Sequence, residues 1–227
     1  MAVTPTDGPG PLAFVDDVDH PVLDAGDRHH LSRVLRLRGG DPLNVSDGAG
    51  RWRPCRFGDE LEPTGPVAVV ERAAPPITVA FAVVKGTRPE WAVQKLTELG
   101  VDHIRPFTAA RSVVRWDDRR AEGNLVRMTR IAREAAMQCR RVWLPEISPL
   151  ATFEEVAALP GACRADRGGR APSLAHPCIL VGPEGGWDAH ERAVAIPSVS
   201  LGPEVLRAET AALAAAVLLA AERHALR

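Results

Sequence analysis

Hydrophobic and polar positions change their pattern near residue 73, where Ala73-Ala-Pro-Pro76 interrupts the chain. Before this point, short apolar runs alternate with turn signals roughly every 8–12 residues, which is typical of a small β-barrel. One helical turn is expected at His30–Arg36. The predicted strands of this first region are Leu12–Val15, Leu43–Val45, Arg51–Phe57 and Val67–Glu71.

After residue 73, strand and helix patterns alternate, which predicts an α/β domain with a mainly parallel sheet. Ile77–Val84 is a continuous apolar run, as expected of a strand covered on both faces. Gly161–Pro177 is predicted to be a mobile insertion, and we expect two domains, at residues 1–73 and 74–227. The other predicted strands are Ile104–Phe107, Val113–Val114, Ile179–Val181 and Val199–Leu201, and the predicted helices are Trp91–Leu99, Leu125–Cys139, Thr152–Leu159, Asp188–Ala195 and Glu204–Leu226.

Composition excludes several classes of protein. Of the 227 residues, 45% are hydrophobic and 25% are charged, which is ordinary for a folded chain and excludes disorder, collagen and coiled coil. The four cysteines show no C-x-x-C spacing, so we expect free thiols, no metal and a reducing, cytoplasmic location. Residues 1–11 do not resemble a signal peptide, and the apolar run Ala211–Ala221 is too short to cross a bilayer, so no membrane partner is expected.

Two glycine-containing loops follow predicted strands. Gly182-Pro-Glu-Gly-Gly-Trp187 lies after one strand, and Gly202-Pro-Glu204 lies after another, just before Arg207-Ala-Glu-Thr210. Loops at the carboxyl ends of parallel strands are where open α/β folds bind ligands. Neither loop matches the dinucleotide fingerprint or the P-loop, and a tight turn without a ligand is the alternative interpretation.

Arginine is concentrated in two segments although the net charge is only −1. Residues 105–141 contain ten Arg and four acidic residues, and residues 28–56 contain seven Arg and two Asp. A polar stripe on the predicted helix contains Arg127, Arg130, Glu134, Gln138 and Arg141. Arginine forks suit phosphates and base edges, so these segments indicate RNA binding, whereas solvated surface is the simpler alternative.

These segments together resemble the RsmE family, which are SPOUT-superfamily methyltransferases that methylate N3 of uridine 1498 in 16S ribosomal RNA. The resemblance extends over nearly the whole chain, and the joint order of its motifs is specific. Trp187 stands where the family commonly has Phe. The matching segments are His29–Arg36, Gly40-Asp41, Asp47-Gly48, Lys85-Gly86, Gln94–Val101, Arg111–Val113, Glu134–Gln138 with Arg141, Gly182–Gly186 and Leu201–Ala211.

The resemblance implies a PUA-like barrel followed by an α/β domain with a trefoil knot, a homodimer, and S-adenosylmethionine as cofactor. Carried over by position, it implies Arg207 as the group that stabilises the uracil anion, with Glu209 or Glu184 as the candidate base. It implies RNA contacts from His30, Arg33, Arg36, Arg111, Arg130, Gln138 and Arg141. The implied cofactor-binding residues are Leu180, Val181, Gly182, Pro183, Gly185, Gly186, Ile196, Leu201, Gly202, Leu206, Thr210 and Ala211.

Three other functions stay open from the sequence. One is a different SPOUT enzyme that acts on transfer RNA or on a ribose 2′-OH, although the small barrel and Glu134–Gln138 favour methylation of uridine N3. A non-catalytic RNA-binding factor of ribosome assembly would keep the fold, although the intact glycine loops and Arg207–Thr210 argue against it. A nicotinamide-dependent enzyme is disfavoured because the fingerprint and its acidic ribose partner are missing.

Overall fold

A computed structural model describes residue 5 and residues 8–226 of the chain. The chain divides into two compact units. The first comprises the residues up to Arg72 together with Arg133–Leu144, and the second comprises Ala73–Ala132 and the residues from Pro145 onward. Residues 133–144 lie within the predicted second domain of the sequence, yet they pack in the first unit, where Ala136 joins a buried cluster with Leu12 and Phe14.

The first unit contains a five-stranded sheet and one short helix. Strands β1 and β2 pair in parallel and the remaining pairs are antiparallel, in the order β1-β2-β3-β4, with β5 also paired to β3. The expected strands are therefore present, and closure of this sheet into a PUA-like barrel stays a prediction. The elements are β1 Leu12–Phe14, α1 Ala25–His29 continued by a π-helical turn at His30–Val34, β2 Pro42–Ser46, β3 Arg51–Arg56, β4 Glu62–Pro63 and β5 Ala68–Val69.

An arginine anchors residues 133–144 in this unit. Arg133 donates to both carboxylate oxygens of Asp27, at 3.0 and 2.6 Å, and to the carbonyl of Phe14. Its guanidinium also lies over the Phe14 ring, 5.5 Å from the centroid. The hydrogen bond to Asp27, which is buried, raises the pKa of Arg133 and so keeps the guanidinium charged.

The second unit is an α/β fold whose seven strands all pair in parallel. This confirms the fold class predicted from the alternating pattern. The strands are β6 Thr78–Ala82, β7 His103–Thr108, β8 Glu146–Ile147, β9 Ala151–Thr152, β10 Ala162–Arg170, β11 Cys178–Val181 and β12 Ser198–Val199. The helices are α2 Arg88–Glu98, α3 Asp118–Cys139, α4 Phe153–Ala157, α5 Ala189–Ala193 and α6 Ala208–Ala225.

Strand order places three carboxyl ends side by side. The sheet runs β12-β10-β11-β6-β7-β8, so β10 lies between β11 and β12 although it precedes both along the chain. Helix α6 covers one face through an alanine-rich stripe that includes Ala212 and Leu219, both fully buried. On α3, Met128 and Ala132 are buried while Arg127 and Arg130 are exposed, as the amphipathic pattern predicts.

Three local predictions are wrong. Gly161–Pro177 contains the nine-residue strand β10 rather than a mobile insertion, because Ala165 pairs with Val199 and buried Arg164 donates to the carbonyl of Glu191. Val113–Val114 is not a strand, since it follows a turn closed by Ser112 N–H on the Ala109 carbonyl. Helix α6 begins at Ala208 and not at Glu204, with Arg207 in an extended N-cap conformation.

Candidate functional site

A cleft of about 200 Å³ lies at the carboxyl ends of β10, β11 and β12. Its walls come from residues 165–167 of β10, from the loops that follow β11 and β12, from Arg192 of α5 and from the first turn of α6. Parallel strands all point their carboxyl ends to one edge, so these segments meet there. The lining includes Ala165–Arg167, Val181, Gly182, Pro183, Glu184, Gly186, Trp187, Arg192, Ser200, Leu201, Gly202, Glu204, Val205, Leu206, Ala208 and Ala211.

Trp187 shapes the loop after β11. Its indole N–H donates to the carbonyl of Ala165 at 2.8 Å, and its ring stacks on Phe107 at 6.2 Å between centroids. A Cβ at Gly182 would lie 2.9 Å from this ring, so the backbone approaches the indole as only glycine allows. Gly186 has φ +68°, a conformation that also favours glycine. The glycines therefore hold a sharp loop against a buried aromatic wall.

A buried carboxylate fixes the other end of this loop. Asp188 caps α5 by accepting from Glu191 N–H, and the Glu191 carboxylate accepts in return from Asp188 N–H. The other carboxylate oxygen of Glu191 accepts a hydrogen bond from Ala110 N–H at 2.8 Å, which attaches the loop to the segment after β7. Arg111 in that segment donates to the carbonyl of Gly185 at 3.2 Å. The loop is thus preorganised by groups from two elements.

Arg88 joins the two candidate bases. Its Nη1 lies 2.8 Å from a carboxylate oxygen of Glu184 and 3.7 Å from Oε2 of Glu209. The Glu209 side chain is only 11% exposed, and no described residue makes a hydrogen bond to that oxygen. One guanidinium therefore faces a carboxylate from the loop after β11 and another from the first turn of α6.

The remaining predicted site residues lie close in sequence to the cleft but do not line it. Leu180 is fully buried in the sheet core, Ile196 is half-buried against the same core, and Thr210 is exposed on α6. Gly185 contacts Arg111, and Arg207 is exposed at the N-cap of α6. Their roles in binding or chemistry stay predictions.

Comparison with known proteins identifies the family. A family model for the RNA methyltransferase domain matches residues 71–220. Ribosomal RNA small subunit methyltransferase E of Mycobacterium bovis is 33% identical over 223 residues, covering 86% of this chain and 83% of that protein. This chain belongs to the ribosomal RNA small subunit methyltransferase E family. The Bacillus subtilis protein of the same name is 30% identical and covers 88% of this chain and 89% of its own length.

Two solved methyltransferase structures share the fold of this chain. The Neisseria gonorrhoeae methyltransferase E, solved bound to S-adenosylmethionine, aligns with a TM-score of 0.74 at 28% identity, over 92% of this chain and 96% of its own. A methyltransferase from Legionella pneumophila, also solved with this cofactor, aligns with a TM-score of 0.80 at 25% identity, over 93% and 97%. The resemblance expected from the sequence motifs is confirmed.

The RNA-binding candidates of this family member are distributed over both units. His30, Arg33 and Arg36 are exposed in the first unit, on and just after the π-helical turn. Arg36 adopts φ +58°, which is uncommon for arginine. In the first unit, Gln138 is exposed and Arg141 is partly buried, and in the second Arg111 and Arg130 are exposed. Contact with RNA stays a prediction for each of them.

Several residues at the cleft were missed from sequence. Asp166 and Arg167 reach it from β10, which was expected to be a mobile loop, so no local signal marked them. Arg88 follows the Lys85-Gly86 motif by two residues, and that proximity was the one available signal.

Across the part of the chain that the structure describes, no group of three His, Cys, Asp or Glu side chains can hold a metal ion. In the same described part, no helix combines the length and apolarity that a membrane crossing requires.

Proposed function

We propose that this protein transfers a methyl group from S-adenosylmethionine to N3 of uridine 1498 in 16S ribosomal RNA. The observation that carries the proposal is the cleft at the carboxyl ends of β10, β11 and β12, with Glu184 on its wall and Glu209 beside it across Arg88. Membership in the methyltransferase E family supports the small-subunit RNA as substrate. Two relatives of the same fold were solved with this cofactor bound.

The cleft suits the cofactor chemically. Its lining combines apolar side chains such as Leu201, Val205 and Leu206 with the carboxylates of Asp166 and Glu204. Apolar walls suit an adenine ring, and carboxylates suit ribose hydroxyls and the cationic groups of the cofactor. Gly186 leaves backbone groups accessible because no Cβ intervenes and no atom beyond its chain neighbours lies within 4 Å of the position a Cβ would take.

When bound, S-adenosylmethionine supplies an electrophilic methyl group. The protein must then remove the N3 proton of uridine and stabilise the anion that forms on the uracil oxygens. Arg207 is exposed at the N-cap of α6, and its neighbour Leu206 lines the cleft. Arg207 is therefore our candidate for stabilising the anion. Because N3 lies on the pairing edge, the uridine must be unpaired before it reaches this position.

Arg88 constrains the choice of base. Glu184 is 42% exposed and accepts a hydrogen bond from Arg88 at 2.8 Å, so its carboxylate is already paired and is accessible to water. Glu209 is nearly buried, with an oxygen that accepts no hydrogen bond from a described residue. That oxygen is free to accept a proton or a ligand N–H, so Glu209 is the better candidate for the base and Glu184 for a partner that orients Arg88.

The family resemblance supports three further parts of the proposal. We propose that the protein works as a homodimer in the cytoplasm and that its second domain is threaded into a trefoil knot. Exposed apolar side chains on α6, Val217 and Leu218, are available to a second copy. His30, Arg33, Arg36, Arg111, Arg130, Gln138 and Arg141 are the proposed RNA contacts.

The test is methylation of small ribosomal subunits by the wild type and by Arg207→Ala, with exposed Arg119→Ala as the matched control. We expect the wild type and the control to form N3-methyluridine at position 1498, detected by mass spectrometry of RNA fragments. We expect Arg207→Ala to lose about 100-fold or more in rate, as for other donors that stabilise a developing anion, while cofactor binding by calorimetry is kept.

Other outcomes would identify the alternatives. Methylation at another nucleotide or on a ribose oxygen would make the protein a SPOUT enzyme of different specificity. Cofactor binding without product on RNA or on assembled subunits would favour a non-catalytic assembly factor. An Arg207→Ala variant as active as the control would overturn the assigned role of Arg207.

A further inference from the structure

A second cavity, of about 270 Å³, opens at the carboxyl end of β6. Its walls are the loop before α2, the first turn of α2 and the first half of α3, and it shares no lining residue with the cofactor cleft. The polar and aromatic side chains that line it are Thr87, Glu90, Trp116, Arg120, Asn124 and Arg127.

Glu90 gives this cavity an unused acceptor. Its Oε1 lies 3.4 Å from Nη1 of Arg127, whereas its Oε2 is buried and accepts no hydrogen bond from any described residue. The side chain is only 16% exposed. Buried carboxylate oxygens are normally hydrogen-bonded, because desolvation without a donor is unfavourable. A ligand with an N–H group would satisfy this oxygen.

The other lining groups restrict the ligand. One carboxylate beside two arginines is a poor cation site, and a bare anion would be repelled by Glu90 in the interior. Trp116 offers an indole for stacking and the Asn124 amide offers both a donor and an acceptor. Arg120 and Arg127 suit a phosphate. An unpaired nucleobase with its phosphate has all the complementary groups, and the cavity, somewhat smaller than the roughly 300–1,000 Å³ of drug-sized sites, suits one base.

We propose that this cavity binds one unpaired base of the RNA substrate, with Glu90 accepting a base N–H and Arg120 and Arg127 holding the adjoining phosphate. The proposal rests on the proposed function in one respect, namely that the substrate is RNA. It adds a recognition site on the second unit, formed by residues that the sequence motifs did not mark.

The test compares Glu90→Gln with Glu122→Gln, an isosteric change on exposed α3 surface that lines neither cavity. Each variant removes one negative charge, which by itself strengthens binding to RNA. In Glu90→Gln, Arg127 attracts the amide oxygen, so the amide NH₂ faces the ligand N–H and opposes it. We expect fluorescence anisotropy with a labelled fragment of 16S ribosomal RNA to show affinity about tenfold lower for Glu90→Gln and unchanged or slightly higher for Glu122→Gln.

Calorimetry with UMP, CMP, AMP and GMP identifies the base. A preference for UMP that is lost in Glu90→Gln and weakened in Trp116→Phe would assign the cavity to a uridine, and a preference for another nucleotide would assign it to a neighbouring base. Binding of all four with no dependence on Glu90, or an RNA affinity of Glu90→Gln equal to that of Glu122→Gln, would overturn the proposal.

Cofactor binding separates this proposal from the proposed function. Glu90→Gln should bind S-adenosylmethionine as the wild type does, which also shows that the variant is folded. If the wild type binds nucleotides through Glu90 but methylates no RNA, the proposed reaction fails and the base site stands. If the wild type methylates uridine 1498 and Glu90→Gln behaves as the control, the reaction stands and the base site fails.

Discussion

Arg88 is the residue on which the two carboxylates of the candidate site converge. It comes from the start of α2, whereas Glu184 and Glu209 come from the loop after β11 and from α6. If Arg88 were removed, the two carboxylates would lie close together with no cation between them and would repel each other. Arg88 is therefore a positioning residue for the proposed chemistry.

Replacing Arg88 should affect turnover more than cofactor affinity. We expect Arg88→Ala to lower the methylation rate at saturating cofactor by about 10- to 100-fold, the effect of losing a charge-assisted hydrogen bond in a partly buried site. Arg88→Lys should recover part of the rate, because a lysine keeps the charge but not the two-pronged geometry.

Cofactor affinity distinguishes this role from a purely structural one. Calorimetry should show that Arg88→Ala binds S-adenosylmethionine as the wild type does, although its methylation rate is lower. A rate of Arg88→Ala equal to that of Arg119→Ala would show that Arg88 has no part in the reaction.

At the scale of elements, a buried ion pair attaches α6 to the sheet. Arg223 near the end of α6 donates to the carboxylate of Asp102 and to the carbonyl of Gly100. The two side chains are 10% and 4% exposed. Asp102 also accepts from the backbone N–H of Ile77, at the start of β6. The pair therefore connects the terminal helix to the edge of the core opposite the cleft.

Removing one member of this pair should be costly. We expect Arg223→Ala to lower the free energy of unfolding by about 3–5 kcal/mol, because it leaves the Asp102 carboxylate buried without its cation. Urea denaturation followed by circular dichroism measures the change. The double replacement Arg223→Met with Asp102→Asn removes both charges and should recover much of the loss, whereas equal destabilisation of both variants would mean that packing, and not charge, dominates.

At the scale of the whole molecule, the four thiols report how the chain is packed. The four cysteines, all in the described part of the chain, form no disulfide, and burial raises the pKa of Cys163 and of Cys178 to about 12 and that of Cys55 to about 11. Cys163 and Cys178 lie in the second unit and Cys55 in the first. Cys139, on α3, is only partly buried.

Alkylation at pH 8 should therefore distinguish the native chain from the unfolded one. Thiolates react and thiols do not, so the three buried cysteines should stay unmodified by iodoacetamide in the native protein while Cys139 is modified first. In denaturant the thiol pKa values return to about 8.5 and all four should react. Mass spectrometry of peptides gives the order, and equal labelling of Cys139 and Cys178 in the native protein would contradict this packing.

The local patterns that predicted the second unit are those whose physics is itself local. The apolar run at Ile77–Val84 gives β6, and the amphipathic stripe of α3 places Met128 inside and Arg130 outside. Thr152 and Asp188, the first residues of two predicted helices, cap those helices, each in a reciprocal capping box. Each of these features depends on neighbours within one or two turns of chain, so the sequence displays it directly.

By itself the sequence determined the parallel α/β class, the glycine loops at strand ends and, through the order of its motifs, the family. Only the tertiary structure decided that polar Ala162–Arg170 is a strand and that Arg88 lies between Glu184 and Glu209. It also decided that Glu90 lines a cavity with Trp116. These features depend on pairs far apart in sequence, such as Ala165 with Val199, or Arg164 with the carbonyl of Glu191. Such pairs satisfy the buried polar groups only after the sheet has assembled, so no local sequence pattern predicts them.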